Sequence, residues 1–166
     1  MTPLALSWPV PYCPGDEAYS RVLAFVGRGG ALYLSGDVSY SPDRRRTRTK
    51  RLEELCGVRF VSERYPDIQY RAGEGGEVRA ETDDPLARAV AASGLTGPCI
   101  AVEPTGAQVL ARAVTVPLAV LHRVGAGRVL YVTDPAELHA EPVGLLRAFL
   151  DSAGVHRHAL TPDVHT

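Results

Sequence analysis

The sequence predicts an α/β domain, a flavodoxin-like three-layer sandwich with a mostly parallel sheet and an antiparallel hairpin. Three observations point there. The first half alternates short apolar runs with amphipathic stretches, the strand–helix–strand–helix order of a parallel sheet covered by helices. Two apolar runs flank "VGAG" at 124–127, which reads as a β-hairpin. The segment "PVGLLRAFLDSAGV" at 142–155 carries an apolar stripe at helical spacing.

Taken in order, "LALSW" (4–8) is short, apolar and followed by Pro9, which suits a buried strand entering a loop. A helix follows in "GDEAYSRVLAFVGRGG", capped by Asp16, with Tyr19, Val22, Leu23 and Val26 inward and Gly29 and Gly30 as the stop. "ALYLS" (31–35) is the next buried strand. "TKRLEELCG" reads as a short helix with Leu52 and Leu55 inward and Gly57 ending it, and "VRFVS" (58–62) alternates as a strand. Two short strands around a Gly-rich turn are expected over 68–81. "DDPLARAVAASG" is a helix with Asp84 at the cap and Pro85 in the first turn. "PCIAVEPTGAQVLARA" gives one or two strands before the hairpin. Asp134 opens a helix at "DPAEL", with Glu137 three positions later at capping-box spacing. The domain runs over 1–155, and 156–166 forms a tail or linker.

Composition narrows the function classes. The chain has 166 residues, 45% hydrophobic and 22% charged, with a net charge of −1. That is an ordinary globular composition with no global pull towards nucleic acid or acidic membrane. No apolar run reaches the ~18 residues of a membrane span, and the N-terminus lacks the basic n-region of a signal peptide. A cytoplasmic location is expected. Cys13, Cys56 and Cys99 form neither a disulfide framework nor a CxxC pair. They read as buried or incidental thiols.

Few motifs carry chemistry. Gly125 to Gly127 opens a strand, and "GRGG" at 27–30 closes a helix, so neither is a phosphate loop. Cys13 follows the first strand but has Pro14, not Gly, beside it and no local His, so no nucleophile elbow is expected. His156 and His158 sit in the tail without a second ligand pair, and His122 alternates within a hairpin strand, so no metal site and no cofactor are expected. Asp37, Glu103 and Asp134 are the carboxylates to consider for glycoside hydrolysis, which needs two acids about 5–10 Å apart. If strands 31–35 and 128–133 are parallel, Ser35, Asp37, Thr133 and Asp134 share a carboxyl edge, where open α/β sheets bind ligands. Structural roles compete: Asp134 serves as a helix cap, and Asp37 in "SGDVS" holds a turn.

The sharpest local feature is basic. Arg44, Arg45, Arg46, Arg48, Lys50 and Arg51 fall within positions 44–51 with no acid among them. Nucleic-acid binding would need a wider basic face and stacking aromatics, whereas Glu53, Glu54, Glu63 and Asp67 follow at once and only Tyr40 is near. Two readings remain. The arginines fold back on Asp37, Asp43 or Glu53 in bidentate pairs, or they meet an acidic patch on a neighbouring domain or subunit.

Three stretches carry a resemblance: "FVGRGGALYLSGD" (25–37), "RLEELCGV" (51–58) and "GAGRVLYVTDP" (125–135). Over residues 4 to 155 the chain resembles the β-galactosidase trimerisation-type domain, a class I glutamine-amidotransferase-like fold found after the catalytic barrel in family 42 β-galactosidases and related glycoside hydrolases. The resemblance implies a non-catalytic assembly and support module. In such enzymes the acid/base and nucleophile glutamates lie in the barrel, so no catalytic residue carries over, and the amidotransferase Cys–His–Glu triad is missing. The implied partners are a catalytic barrel domain or subunit and further copies of the chain, not nucleic acid or membrane. Arg44, Arg45, Arg46 and Arg48 become a salt-bridged loop and interdomain contact. Domains of this type open with another strand and helix before the one matching "LALSW". The chain is therefore expected to be a piece of a longer hydrolase or to be completed by a partner. Two alternatives stand beside this reading. One is a small carbohydrate- or anion-binding protein that uses the Arg-rich loop, and the other is a standalone hydrolase that uses the carboxyl-edge cluster.

Overall fold

The computed structural model describes residues 4–8, 13–61, 77–95, 97, 100–139 and 142–155. The expected strand within 68–76, Cys99, and the tail 156–166 with His156, His158 and His165 lie outside the described residues.

Eight strands and four helices follow in chain order among the described residues: β1 (Ala5–Trp8), α1 (Asp16–Gly27), β2 (Ala31–Ser35), β3 (Val58–Phe60), β4 (Val78–Ala80), α2 (Pro85–Ala91), β5 (Val102–Pro104), β6 (Gln108–Ala113), β7 (Val116–Val124), β8 (Gly127–Val132), α3 (Ala136–His139) and α4 (Pro142–Ser152). A six-stranded sheet has the order β1-β2-β8-β7-β6-β4, and β3 with β5 forms a separate antiparallel pair. The α/β class holds. The sheet is mixed: β1, β2 and β8 are parallel, while β8, β7, β6 and β4 are antiparallel neighbours. The expectation of a mostly parallel sheet is corrected here. Residues 108–132 form one meander through tight turns, and short turns connect only antiparallel neighbours.

Helices cover both sheet faces. Leu86 and Val90 of α2 and Leu145 and Phe149 of α4 pack with Tyr33, Leu118, Leu130 and Val132 on one face. Tyr19 and Val26 of α1, with Leu52, Leu55 and Cys56, pack with Leu32, Leu34, Val129 and Tyr131 on the other. The alternation along β2 and β8 therefore feeds two separate cores.

Local chemistry explains the boundaries. Asp84 caps α2 as expected, accepting the Leu86 N–H at 2.7 Å with Pro85 in the first turn. Asp16 does not cap α1. Gly15 is the N-cap, and the Asp16 carboxylate is turned to two arginines. The expected helix at "RLEELC" is a π-helical turn, Leu52–Cys56, closed by Gly57 at φ +64°. The Gly57 carbonyl receives the N–H groups of Thr105, Gly106 and Ala107 at 2.8, 3.1 and 3.2 Å, which ties the β5–β6 connection to this turn.

Candidate functional site

The carboxyl ends of β2 and β8 lie side by side, with Ser35 opposite Val132. Parallel pairing thus brings Ser35, Thr133 and Asp134 to one edge, as expected, and all three are fully buried. Ser35 Oγ donates to the Glu137 carboxylate, and the Tyr33 hydroxyl donates to its other oxygen at 2.8 Å. Burial first, and the Glu137 carboxylate second, push the Tyr33 hydroxyl far above its ordinary pKa. It stays a neutral donor. Thr133 Oγ1 turns inward and donates to the Leu118 carbonyl at 3.1 Å. Tyr131 donates to the Gly36 carbonyl at 2.7 Å, which fixes the chain where it leaves β2.

Asp37 stands apart from this group. One of its oxygens accepts the Ser39 N–H at 2.8 Å and the Ser39 hydroxyl. The other accepts Arg46 Nε at 2.9 Å, with the pair's side chains 22% and 11% exposed. The edge is therefore held together by internal bonds. Glu137 and Tyr33 are its organising residues, and sequence reasoning missed both. Glu137 was expected to close a capping box with Asp134. The available signal was Tyr33, a phenol in a buried strand that requires a partner.

The basic run divides by side-chain direction. Arg46 lies over the rings of Phe60 and Tyr40, at 4.0 and 5.0 Å, and donates to the Tyr40 hydroxyl at 3.1 Å. Arg51 is buried against Tyr19 and donates to the Pro14 carbonyl at 2.8 Å and to Asp16 at 2.5 Å. Arg48 joins it on Asp16. The Tyr19 hydroxyl donates to Glu54 at 2.8 Å, and burial with that carboxylate raises its pKa strongly. Arg44, Arg45 and Lys50 point outward and are exposed, and Arg44 and Arg45 make no ion pair among the described residues. Backbone bonds Arg44 N–H to Ser41 C=O at 2.9 Å and Ser41 N–H to Arg45 C=O at 2.8 Å close the loop, with Arg44 at φ +58°. The loop is thus a closed turn with inner arginines that anchor it and two outer ones at its tip.

Other chemistry is sparse. Cys56 is fully buried, and burial pushes its thiol well above the usual value, so it is no nucleophile. Among the described residues no group of three or more His, Cys, Asp or Glu side chains is placed to hold a metal ion. No described helix is long and apolar enough to cross a membrane. A cleft of about 170 Å³ lies between Val61, Val102 to Pro104, Arg112 and Thr115 to Pro117, and adjoins the carboxyl edge where Thr133 Oγ1 donates to the Pro117 carbonyl at 3.4 Å. Its charged members are spent on neighbours, Glu103 with Arg59 at 2.7 Å and Arg112 with Glu81 at 3.1 Å.

No protein-family model and no curated protein matches the chain in sequence. Solved structures do match in fold. A β-galactosidase from Bacillus circulans sp. alkalophilus superposes with a TM-score of 0.66 at 18% identity, over 92% of this chain and 23% of that one. The β-galactosidase of the Antarctic haloarchaeon Halorubrum lacusprofundi gives 0.64 at 18% identity, over 91% and 22%. A cytoplasmic protein of Salmonella typhimurium gives 0.59 at 13% identity, over 90% of this chain and 70% of that one. The chain spans less than a quarter of either β-galactosidase, and at these identities the likeness is one of fold.

Proposed function

We propose that the chain is a non-catalytic accessory domain of a glycoside hydrolase of the β-galactosidase kind, with a catalytic barrel domain or subunit as its partner. One observation carries the reading. Nine-tenths of this chain superposes on under a quarter of each of two β-galactosidases from a bacterium and an archaeon. The carboxyl edge supports it, because Ser35, Tyr33 and Glu137 are spent on one another. Arg44 and Arg45 are the outward half of the loop and supply the contact to an acidic patch on that partner. Arg46 and Arg48 hold the loop from within.

The test is to read the coding DNA upstream of Met1 in frame. A strand–helix pair preceded by a (β/α) barrel is the expected result. An in-frame stop close to Met1, together with turnover of a β-galactoside by the purified chain that Asp37→Ala abolishes, would overturn it. A second reading, an anion-binding protein built on the same loop, is favoured by one observation. The exposed guanidinium groups of Arg44 and Arg45 have no ion-pair partner among the described residues. It predicts stabilisation that grows with free anion concentration and is lost in the Arg44→Ala/Arg45→Ala double variant.

A further inference from the structure

The Arg-rich loop offers its hydroxyl groups unevenly. Ser39 and Ser41 are buried; Ser39 Oγ donates to Asp37, and Ser41 Oγ accepts the Arg45 N–H at 3.4 Å. The Tyr40 hydroxyl accepts from Arg46 at 3.1 Å. Thr47 is exposed instead, and its hydroxyl has no hydrogen-bond partner among the described residues. Side-chain direction alternates on either side of it. Arg46 turns inward to Asp37, Tyr40 and Phe60, and Arg48 turns to Asp16. Arg45 and Thr47 take the outward positions, and the Thr47 N–H donates to the Arg45 carbonyl at 2.9 Å. These two residues therefore lie side by side on a segment that the inner arginines fix. Arg44, at φ +58°, stands next to them at the tip. Neither Arg44 nor Arg45 makes an ion pair among the described residues, although the exposed Asp43 is adjacent in the chain.

We propose that Thr47 is a phosphorylation site whose phosphate switches off the contact made by Arg44 and Arg45. The switching half rests on the reading of those two arginines as the docking contact of an accessory domain. A protein kinase reads the charge pattern around the hydroxyl that it modifies. Arg44, Arg45 and Arg46 directly precede Thr47, and Arg48 follows it. That pattern fits a kinase with an acidic substrate groove, and the phosphoryl donor is a magnesium-bound nucleoside triphosphate. Thr47 Oγ1 attacks the γ-phosphorus, and the new O–P bond forms as the bond to the departing nucleoside diphosphate breaks. The hydroxyl proton passes to a carboxylate base of the kinase. The product carries about −1.5 to −2 charges on acceptor oxygens. Guanidinium forks match a phosphate in both charge and geometry, and those of Arg45 and Arg44 are unspent. The inner arginines already hold the segment, so the new pairing costs little ordering. The tip goes from two free positive charges to about none, and an acidic partner surface loses its attraction for it.

The test is to incubate the folded chain with an Arg-directed serine/threonine kinase and magnesium ATP. A single phosphate should enter and map to Thr47, not to the half-buried Thr49. Thr47→Val should take up none, and the Arg44→Ala/Arg45→Ala double variant should react at least roughly tenfold more slowly. Phosphorus NMR then reads the arginine clasp. The second ionisation of the phosphate should fall below its ordinary value of about 6, and return to it in the double variant phosphorylated to completion. Retention on immobilised poly-glutamate should be lost on phosphorylation. No phosphate on Thr47, or one that titrates at its ordinary value, would overturn the proposal and leave the docking contact standing. Retention unchanged by phosphorylation would overturn the switch. No retention before phosphorylation would remove the docking contact itself, and the switch with it.

Discussion

At the scale of single residues, His122 is the ionisable group whose surroundings make the clearest statement. Its Nδ1 is buried without a hydrogen-bond partner among the described residues, and Gly57 approaches so closely that a Cβ there would strike the ring. Burial holds its pKa below the ordinary value, only partly offset by a hydrogen bond with the Gly106 backbone. The unfolded chain takes up this proton near about pH 6.5. Below that pH the unfolded state binds more protons than the folded one, so stability falls as pH falls. Above it the contribution is complete. Thermal melts between about pH 7.5 and about pH 5 should show a falling midpoint for the unsubstituted chain and a shallower fall for His122→Gln. Identical slopes would mean that other groups set the acid limb. The sequence placed His122 in a strand but gave no hint of its neighbour, because Gly57 lies 65 positions away and only the fold brings them together.

At the scale of elements, the turn between β7 and β8 shows what a glycine pair does when it is not a phosphate loop. The β7–β8 turn presses on the end of α1: the Ala126 N–H donates to the Gly27 carbonyl at 3.1 Å and the Arg128 N–H to the Gly30 carbonyl at 3.1 Å. A Cβ on Gly127 would collide with the carbonyl of Val26, and one on Gly125, at φ +57°, would lie 2.6 Å from that of Gly27. Backbone cannot yield as a flexible side chain would. Gly127→Ala should therefore cost more than roughly 2 kcal/mol in urea unfolding. Gly144→Ala is the matched control. It lies in α4 with open space around it, so the same change should raise stability by about 0.5–1 kcal/mol. Equal effects would show that the close approach is not real. The hairpin itself was legible, because apolar runs around a Gly-rich turn specify it locally. The π-helical turn at Leu52–Cys56 was not. Apolar spacing over five residues does not separate a wide turn from an α-helical one.

At the scale of the whole molecule, the two cores and the sheet order rank the strands by stability. β2, β8 and the middle of β7 are buried on both faces, between α2 and α4 on one side and α1 on the other. β1 closes the sheet on one flank with three of its four residues exposed. Two-sided burial was legible as unbroken apolar runs in "ALYLS" and "RVLYV", the pattern of interior strands. The exposure of "LALSW" was not, since an apolar run is silent about whether anything lies beside it. The same limit applies to the carboxyl edge. Parallel pairing of β2 and β8 was foreseeable, but the diversion of Asp37 to Arg46 and of Ser35 to Glu137 depends on loops that only the fold positions. Amide exchange tests the ranking. Residues 128–132 should exchange only through global unfolding, while segment 4–8 should exchange by local opening at far lower free energy. Equal protection of 4–8 and 128–132 would mean that β1 is held by more than its single described neighbour. The ranking of the sheet from its centre outward would then be wrong.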